Sequence, residues 1–104
     1  MQQFDVFENP LASARKLYPF MVVLQSDLAE SRTTRVVAPL VRHDDAEYST
    51  SRLHPVVVVE GGRFIVQVLG LYSIPLSSAV KPVANLGARR DDLIAALDIL
   101  FVGV

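Results

Sequence analysis

The chain predicts an α+β domain, mainly β: a strongly bent antiparallel sheet or small barrel of about five to six strands with a C-terminal α-helix laid against it. Three observations carry this. Short apolar runs of strand length, rich in Val, are separated by Pro, Gly, Asn and Asp. Glu60-Gly61-Gly62-Arg63 joins two such runs as a two-residue turn would. Only over residues 85–104 does a helical period take over, with Leu93, Leu97 and Leu100 at i, i+4 and i+7.

In chain order, residues 3–7 alternate, with Phe4 and Val6 on one side and Gln3, Asp5 and Phe7 on the other, which predicts a first strand ending at Asn9-Pro10. Residues 11–17 lie between two prolines and are too short for an independent helix, so a loop is expected. Residues 20–25, FMVVLQ, read as a buried strand ended by Ser26-Asp27. A polar connection over residues 28–32 then carries one exposed apolar side chain, Leu28. Residues 33–40 form the next strand, where Pro39 predicts an edge or a bulge. Residues 41–52 are the most polar segment and suggest a small hairpin around Asp44-Asp45. Strands over residues 56–60 and 64–69 flank the Gly61-Gly62 turn, a further short strand runs over residues 71–74, and residues 77–84 connect to the helix.

The helix can open at Asn85 or Gly87, and Asp91 and Asp92 suit its positive N-terminal end. Leu93, Leu97 and Leu100 with Ile94 and Phe101 form the inward face. Asp91, Ala95, Asp98 and Val102 follow i, i+4, i+7 and i+11, so the outward ridge runs into Val102. Gly103 permits a left-handed or extended exit. The expectation is an apolar residue, a Gly and a carboxylate together at the surface, with a C-terminus tucked into the core or a dimer interface as the other reading.

The 104 residues read as one domain, 1–104, long enough to remove roughly 65% of its unfolded surface from water without a disulfide or metal staple. There is no Cys, which excludes thiolate catalysis, a disulfide framework and Cys-ligated zinc. A net charge of −1 is the wrong balance for holding nucleic acid by counterion release, so no direct nucleic-acid binding is expected. The apolar runs are too short and broken for a membrane span, and MQQFDVFE lacks the features of a signal peptide, which together predict a soluble cytosolic domain. The apolar fraction, 51%, is high for so small a chain, and oligomerisation is the simplest way to cover it.

Catalytic chemistry finds little footing. His43 with Asp44, Asp45 and Glu47 could be drawn as a metal site, but adjacent side chains on an extended chain diverge and no second His lies at ligand spacing, so a solvated loop is expected. Ser26-Asp27, Ser49 to Ser51 and His54 supply nucleophile and base types without a nucleophile elbow, and read as turn-capping groups. Gly61-Gly62 is followed by a strand and is no phosphate cradle. No catalytic residue, metal or cofactor is assigned, and a binding module is the better reading.

Several elements taken together resemble one family. They are Tyr18-Pro19-Phe20, Val23-Leu24-Gln25-Ser26-Asp27-Leu28, Thr34-Arg35-Val36-Val37-Ala38-Pro39-Leu40, Leu53-His54-Pro55-Val56-Val57, Ser73-Ile74-Pro75 and the terminal Leu100-Phe101-Val102-Gly103-Val104. In this order and over nearly the whole chain they resemble the CcdB toxins of plasmids and chromosomes. The resemblance implies an SH3-like small barrel with a C-terminal helix, shared with MazF toxins, and a symmetric homodimer. It implies a non-enzymatic toxin of a type II toxin–antitoxin module that binds the DNA gyrase A subunit, traps the gyrase–cleaved DNA complex and is neutralised by a CcdA-like antitoxin. It also implies a gyrase-binding surface of Leu28, Ala29, Asp98, Val102, Gly103 and Val104. The best-studied toxins of the family end in Trp-Gly-Ile and carry Asn at the position of Asp98. A homologue that keeps its antitoxin but has lost or changed its target is therefore the second reading, and a MazF-like endoribonuclease the third.

Overall fold

The computed structural model describes residues 1–29, 32–45, 51–78 and 81–103. Among them seven strands form one antiparallel sheet that bends into a nearly closed barrel: β1 (Asp5–Glu8), β2 (Phe20–Val23), β3 (Thr34–Arg42), β4 (Val56–Val59), β5 (Gly62–Val66), β6 (Tyr72–Pro75) and β7 (Ala84–Asn85). The order is β4-β5-β3-β2-β1-β7, with β6 also pairing β3. Among the described residues one α-helix, α1 (Arg90–Phe101), follows. This is the α+β, SH3-like architecture expected from the strand and helix periods.

β2 and the second half of β3 read as continuous apolar runs because residues on both of their faces are buried, whereas β4 exposes Val58. Registers Val6↔Val22 and Val22↔Ala38 stack one row, which continues through Phe4, Leu40, Phe64 and Val66 into the core that α1 covers. The alternate row, Phe7, Met21, Val23 and Val37 with Ile74, forms a second cluster. Phe7 lies opposite Val6, as its alternation predicts, and is fully buried. Phe20 meets Phe64 edge to face, 5.3 Å between ring centroids.

Pro39 departs from expectation. It lies in the middle strand, not at an edge, at the junction where β3 changes partner: Thr34 to Val37 pair with β6, Leu40 to Arg42 with β5. Its carbonyl accepts the Gln67 N–H at 2.9 Å. In an antiparallel ladder one residue's N and O point to the same neighbour, so the missing N–H of Pro39 falls in the gap between β5 and β6, where no ladder bond is required.

Other boundaries also shift. The returning strand stops at Val66, and a 3₁₀ turn at Val68–Gly70 precedes β6. The short β7, paired to β1 through Asp5↔Asn85, lies where a plain connector was expected. Residues 11–17 contain one 3₁₀ turn, Ala12–Ala14. β3 extends to Arg42 and is followed by a 3₁₀ turn at His43–Asp45; the rest of the hairpin expected there falls on residues 46–50, outside the described residues.

The hairpin between β4 and β5 turns one residue earlier than expected. Val59 pairs with Gly62, leaving Glu60 (φ 50°) and Gly61 (φ 80°) as the two central residues, both left-handed as a type I′ turn requires. Gly62 is thus the first strand residue. A Cβ at Gly61 would meet no atom within 4 Å, so its need for Gly is one of backbone angle alone. Gly61→Ala is expected to destabilise the fold by about 1–2 kcal/mol, read as a lower urea midpoint at unchanged slope.

Candidate functional site

Two surface features hold the residues expected to face a partner. The first is the connection after β2. Leu24 and Gln25 both donate their N–H groups to the Val36 carbonyl, at 2.9 and 3.3 Å, so two residues oppose one and the strand bulges outward. The Gln25 side chain holds the bulge from both ends: Oε1 accepts the Val36 N–H at 3.0 Å, and Nε2 donates to the Ala29 carbonyl. Ser26 then turns the chain, its Oγ accepting the Leu28 N–H at 3.1 Å and its carbonyl the Ala29 N–H at 3.0 Å. Leu28 is left 93% exposed, and Ala29 is exposed beside it. Ser26 is therefore occupied as a turn cap, as its sequence context suggests.

The second feature is the end of α1. Asn85 opens the segment: its Oδ1 accepts the Gly87 N–H at 2.7 Å, starting a 3₁₀ turn at Gly87–Arg89 that leads into the helix. Asp91 and Asp92 occupy the first turn, and Arg89 Nε and Nη2 each reach Asp92 Oδ2 at 2.8 Å. Leu93 and Ala96 are fully buried, with Ile94, Leu97 and Leu100 packed against the same core. On the opposite side Asp91, Asp98 and Val102 are exposed, so the outward ridge runs to the helix end as its spacing predicts.

Phe101 does not follow the expected inward direction. It is 69% exposed, almost as much as Val102 at 70%. Along α1 the fully buried side chains are Leu93 and Ala96; Ile99 and Leu100 near the helix end are only half-buried, and Phe101 is exposed. Periodicity assigns a face; it cannot say how far the surface beneath that face extends. Two large apolar side chains therefore share one exposed helix end.

Gly103 stops the helix in the left-handed conformation, φ 84°. Its N–H reaches the carbonyls of Asp98 at 3.0 Å and Ile99 at 3.1 Å, and the bond to Ile99 is that of a single-bond left-handed C-cap. Val104 lies outside the described residues.

The loop after β2 is anchored through Asp27, whose Oδ1 accepts the Gln3 N–H at 2.9 Å, and Gln3 Oε1 in turn accepts from Arg90, the first residue of α1, at 3.2 Å. At 1.5 Å per residue Val102 lies about 18 Å along the helix from Arg90. Among the described residues no hydrogen bond or ion pair joins Leu28 or Ala29 to Asp98, Val102 or Gly103. No local spacing signals the Gln3–Asp27–Arg90 connection, because its segments are so distant in sequence.

The groups considered for catalysis are engaged otherwise. His43 has Asp44 Oδ1 at 3.5 Å from Nδ1 and Arg63 Nη2 at 3.5 Å from Nε2. Among the described residues no three His, Asp or Glu side chains gather as metal ligands; Glu47 lies outside them. Ser51 Oγ stands 3.4 Å from His54 Nδ1. Tyr72 is exposed, yet partial desolvation raises its phenol pKa, and its hydroxyl donates to Met21 Sδ at 3.4 Å. No described helix is long and apolar enough to cross a membrane.

A family model described as CcdB protein matches residues 3–103. The chain belongs to the CcdB family. The CcdB match begins at Gln3, ahead of β1, and ends at Gly103, so it includes Leu28, Ala29, Asp98, Val102 and Gly103; Val104 falls beyond it. CcdB membership supports a toxin of a toxin–antitoxin module, a partner-binding protein.

Proposed function

We propose that this protein is a type II toxin that binds the DNA gyrase A subunit in the cytoplasm, traps the gyrase–cleaved DNA complex without catalysing a reaction of its own, and is neutralised by a CcdA-like antitoxin. The observation that carries the reading is the presentation of large apolar side chains to solvent at the family's target-facing positions: Leu28 at 93% and Val102 at 70%. Asp98 and the Gly103 cap flank Val102 and fix its direction. Incubation of the purified protein with gyrase of its own host and supercoiled DNA is expected to accumulate cleaved DNA. Absence of cleavage with that gyrase overturns the reading.

The active species in this reading is a symmetric homodimer. Two features support it: the high apolar fraction of the chain and the exposure of Phe101, a costly side chain to leave in water at the end of an otherwise well-packed helix. Phe101→Ser is expected to convert dimer to monomer at micromolar concentration in analytical ultracentrifugation, with the far-UV spectrum unchanged. A dimer of undiminished stability would remove Phe101 from the interface.

The second reading, a toxin that keeps its antitoxin but has lost or changed its gyrase target, is favoured by one specific observation. Val102 stands exposed where the family's best-studied members carry Trp, and Asp98 where they carry Asn. A carboxylate accepts hydrogen bonds only, whereas an amide also donates. Tight antitoxin binding with harmless expression in the native host would select this reading.

A further inference from the structure

Gln3 is the point where the N-terminal segment, the loop after β2, β7 and α1 meet. Its backbone N–H donates to Asp27 Oδ1 at 2.9 Å and its Nε2 to the Leu24 carbonyl at 3.1 Å. Its Oε1 accepts from Arg90 Nη1 at 3.2 Å and its carbonyl from Asn85 Nδ2 at 3.2 Å. A tight turn places it there: Asp5 N–H donates to the Gln2 carbonyl at 3.1 Å, and Gln2 N–H to Asp5 Oδ2 at 2.9 Å.

The turn is made at a conformational cost. Its third residue, Phe4, has φ 68°, a position where a tight turn ordinarily takes Gly or Asn. The surroundings hold it. The Phe4 side chain is buried, its N–H donates to the Val23 carbonyl at 2.7 Å, its carbonyl accepts the Leu86 N–H at 2.8 Å, and the Arg90 guanidinium sits 5.8 Å from its ring centre. A strained non-Gly residue persists only where its neighbours over-determine it. Here they fix a bend that directs Gln3 at the loop.

Leu28 needs such support. At 93% exposure it has almost no packing of its own, so its direction is set by the backbone on either side. An exposed apolar anchor that must be ordered on binding loses affinity to that ordering; one already held does not. We propose that Asp27 and Gln3 are positioning residues for Leu28. They tie the loop to the base of α1 so that Leu28 meets its target pre-ordered. This rests on the reading of Leu28 as a gyrase-facing residue.

A double-mutant cycle with full-length protein and the host gyrase A subunit tests it, together with ¹⁵N relaxation of the free toxin. Asp27→Ala is expected to weaken binding about tenfold, and to add no further loss in a Leu28→Ala background, because it acts through Leu28. Asp27→Asn keeps an oxygen acceptor for the Gln3 N–H and is expected to bind within about twofold of the native chain. In the free toxin, Asp27→Ala and Gln3→Ala are expected to lower the order parameters of Leu28 and Ala29 from about 0.85 toward 0.6 while leaving the barrel strands unchanged. Equal losses from Asp27→Ala in both backgrounds would mean direct contact with the target and overturn the positioning role; so would unchanged order parameters. If Leu28→Ala alone leaves gyrase binding intact, it is the gyrase reading of this loop that fails, and the order parameters alone then decide the role of Asp27 and Gln3.

Discussion

Val102→Trp is expected to raise affinity for the gyrase A subunit by roughly a hundredfold, the equivalent of ~3 kcal/mol, through a large aromatic anchor of the kind that dominates interface energetics. The site permits the change. Val102 follows the last helical residue, its side chain is 70% exposed, and the Gly103 cap sets the chain direction independently of the side chain at 102. Folding stability should therefore stay within about 0.5 kcal/mol, as for surface substitutions generally. Binding measured by calorimetry, together with growth arrest on expression, reads the result. If the host enzyme has a surface matched to Val, tryptophan would bind no better to it yet better to a gyrase that recognises Trp-ended toxins. Unchanged binding to both enzymes would place residue 102 outside the interface. Asp98→Asn in the same background separates the two departures, since it restores a donor without altering bulk.

Leu93→Ala is expected to cost about 2–5 kcal/mol by the usual range for a fully buried leucine truncated in a well-packed core. Leu93 is the fully buried large side chain that α1 contributes to the core, with Ala96 one turn on. Removing it leaves a cavity between helix and sheet while every exposed residue of α1 stays chemically unchanged. At about 4–8 °C per kcal/mol for a domain of this size, melting should fall by roughly 8–40 °C. Thermal unfolding at fixed protein concentration checks this, concentration being held because a dimer's melting point depends on it. A loss below about 1 kcal/mol would mean that α1 contributes little to the core.

Local signals made most of the fold legible. β-branched runs bounded by turn residues located six of the seven described strands, and a 3.6-residue period located α1 and its outward ridge of Asp91, Asp98 and Val102. The exceptions are instructive. β7 has two residues, too few for a period, and exists because β1 offers it hydrogen bonds. Pro39 reads as an edge signal, but in a bent sheet a middle strand can change partner and leave a gap where an N–H is dispensable. The hairpin turn sits at Glu60-Gly61 and not at Gly61-Gly62 because strand register, set by the packing of Val57, Val59 and Phe64 into the core, overrides the strongest local turn pair.

The candidate site divides the same way. Residue types and spacing alone determined that the chain is an α+β domain, that its helix turns Asp98 and Val102 outward, that Gly103 lets the chain leave the helix left-handed or extended, and that Leu28 lies on a polar connection. These are properties of neighbours in sequence, governed by backbone geometry and the 3.6-residue period. Tertiary structure decided the rest: that Phe101 is almost as exposed as Val102, and that Gln3 binds Asp27 and Arg90 together, tying the Leu28 loop to the start of the helix segment. Each of these depends on where distant segments meet and on how the helix packs against the rest of the chain. Burial and long-range hydrogen bonds are set by the packed whole, and no local period encodes them.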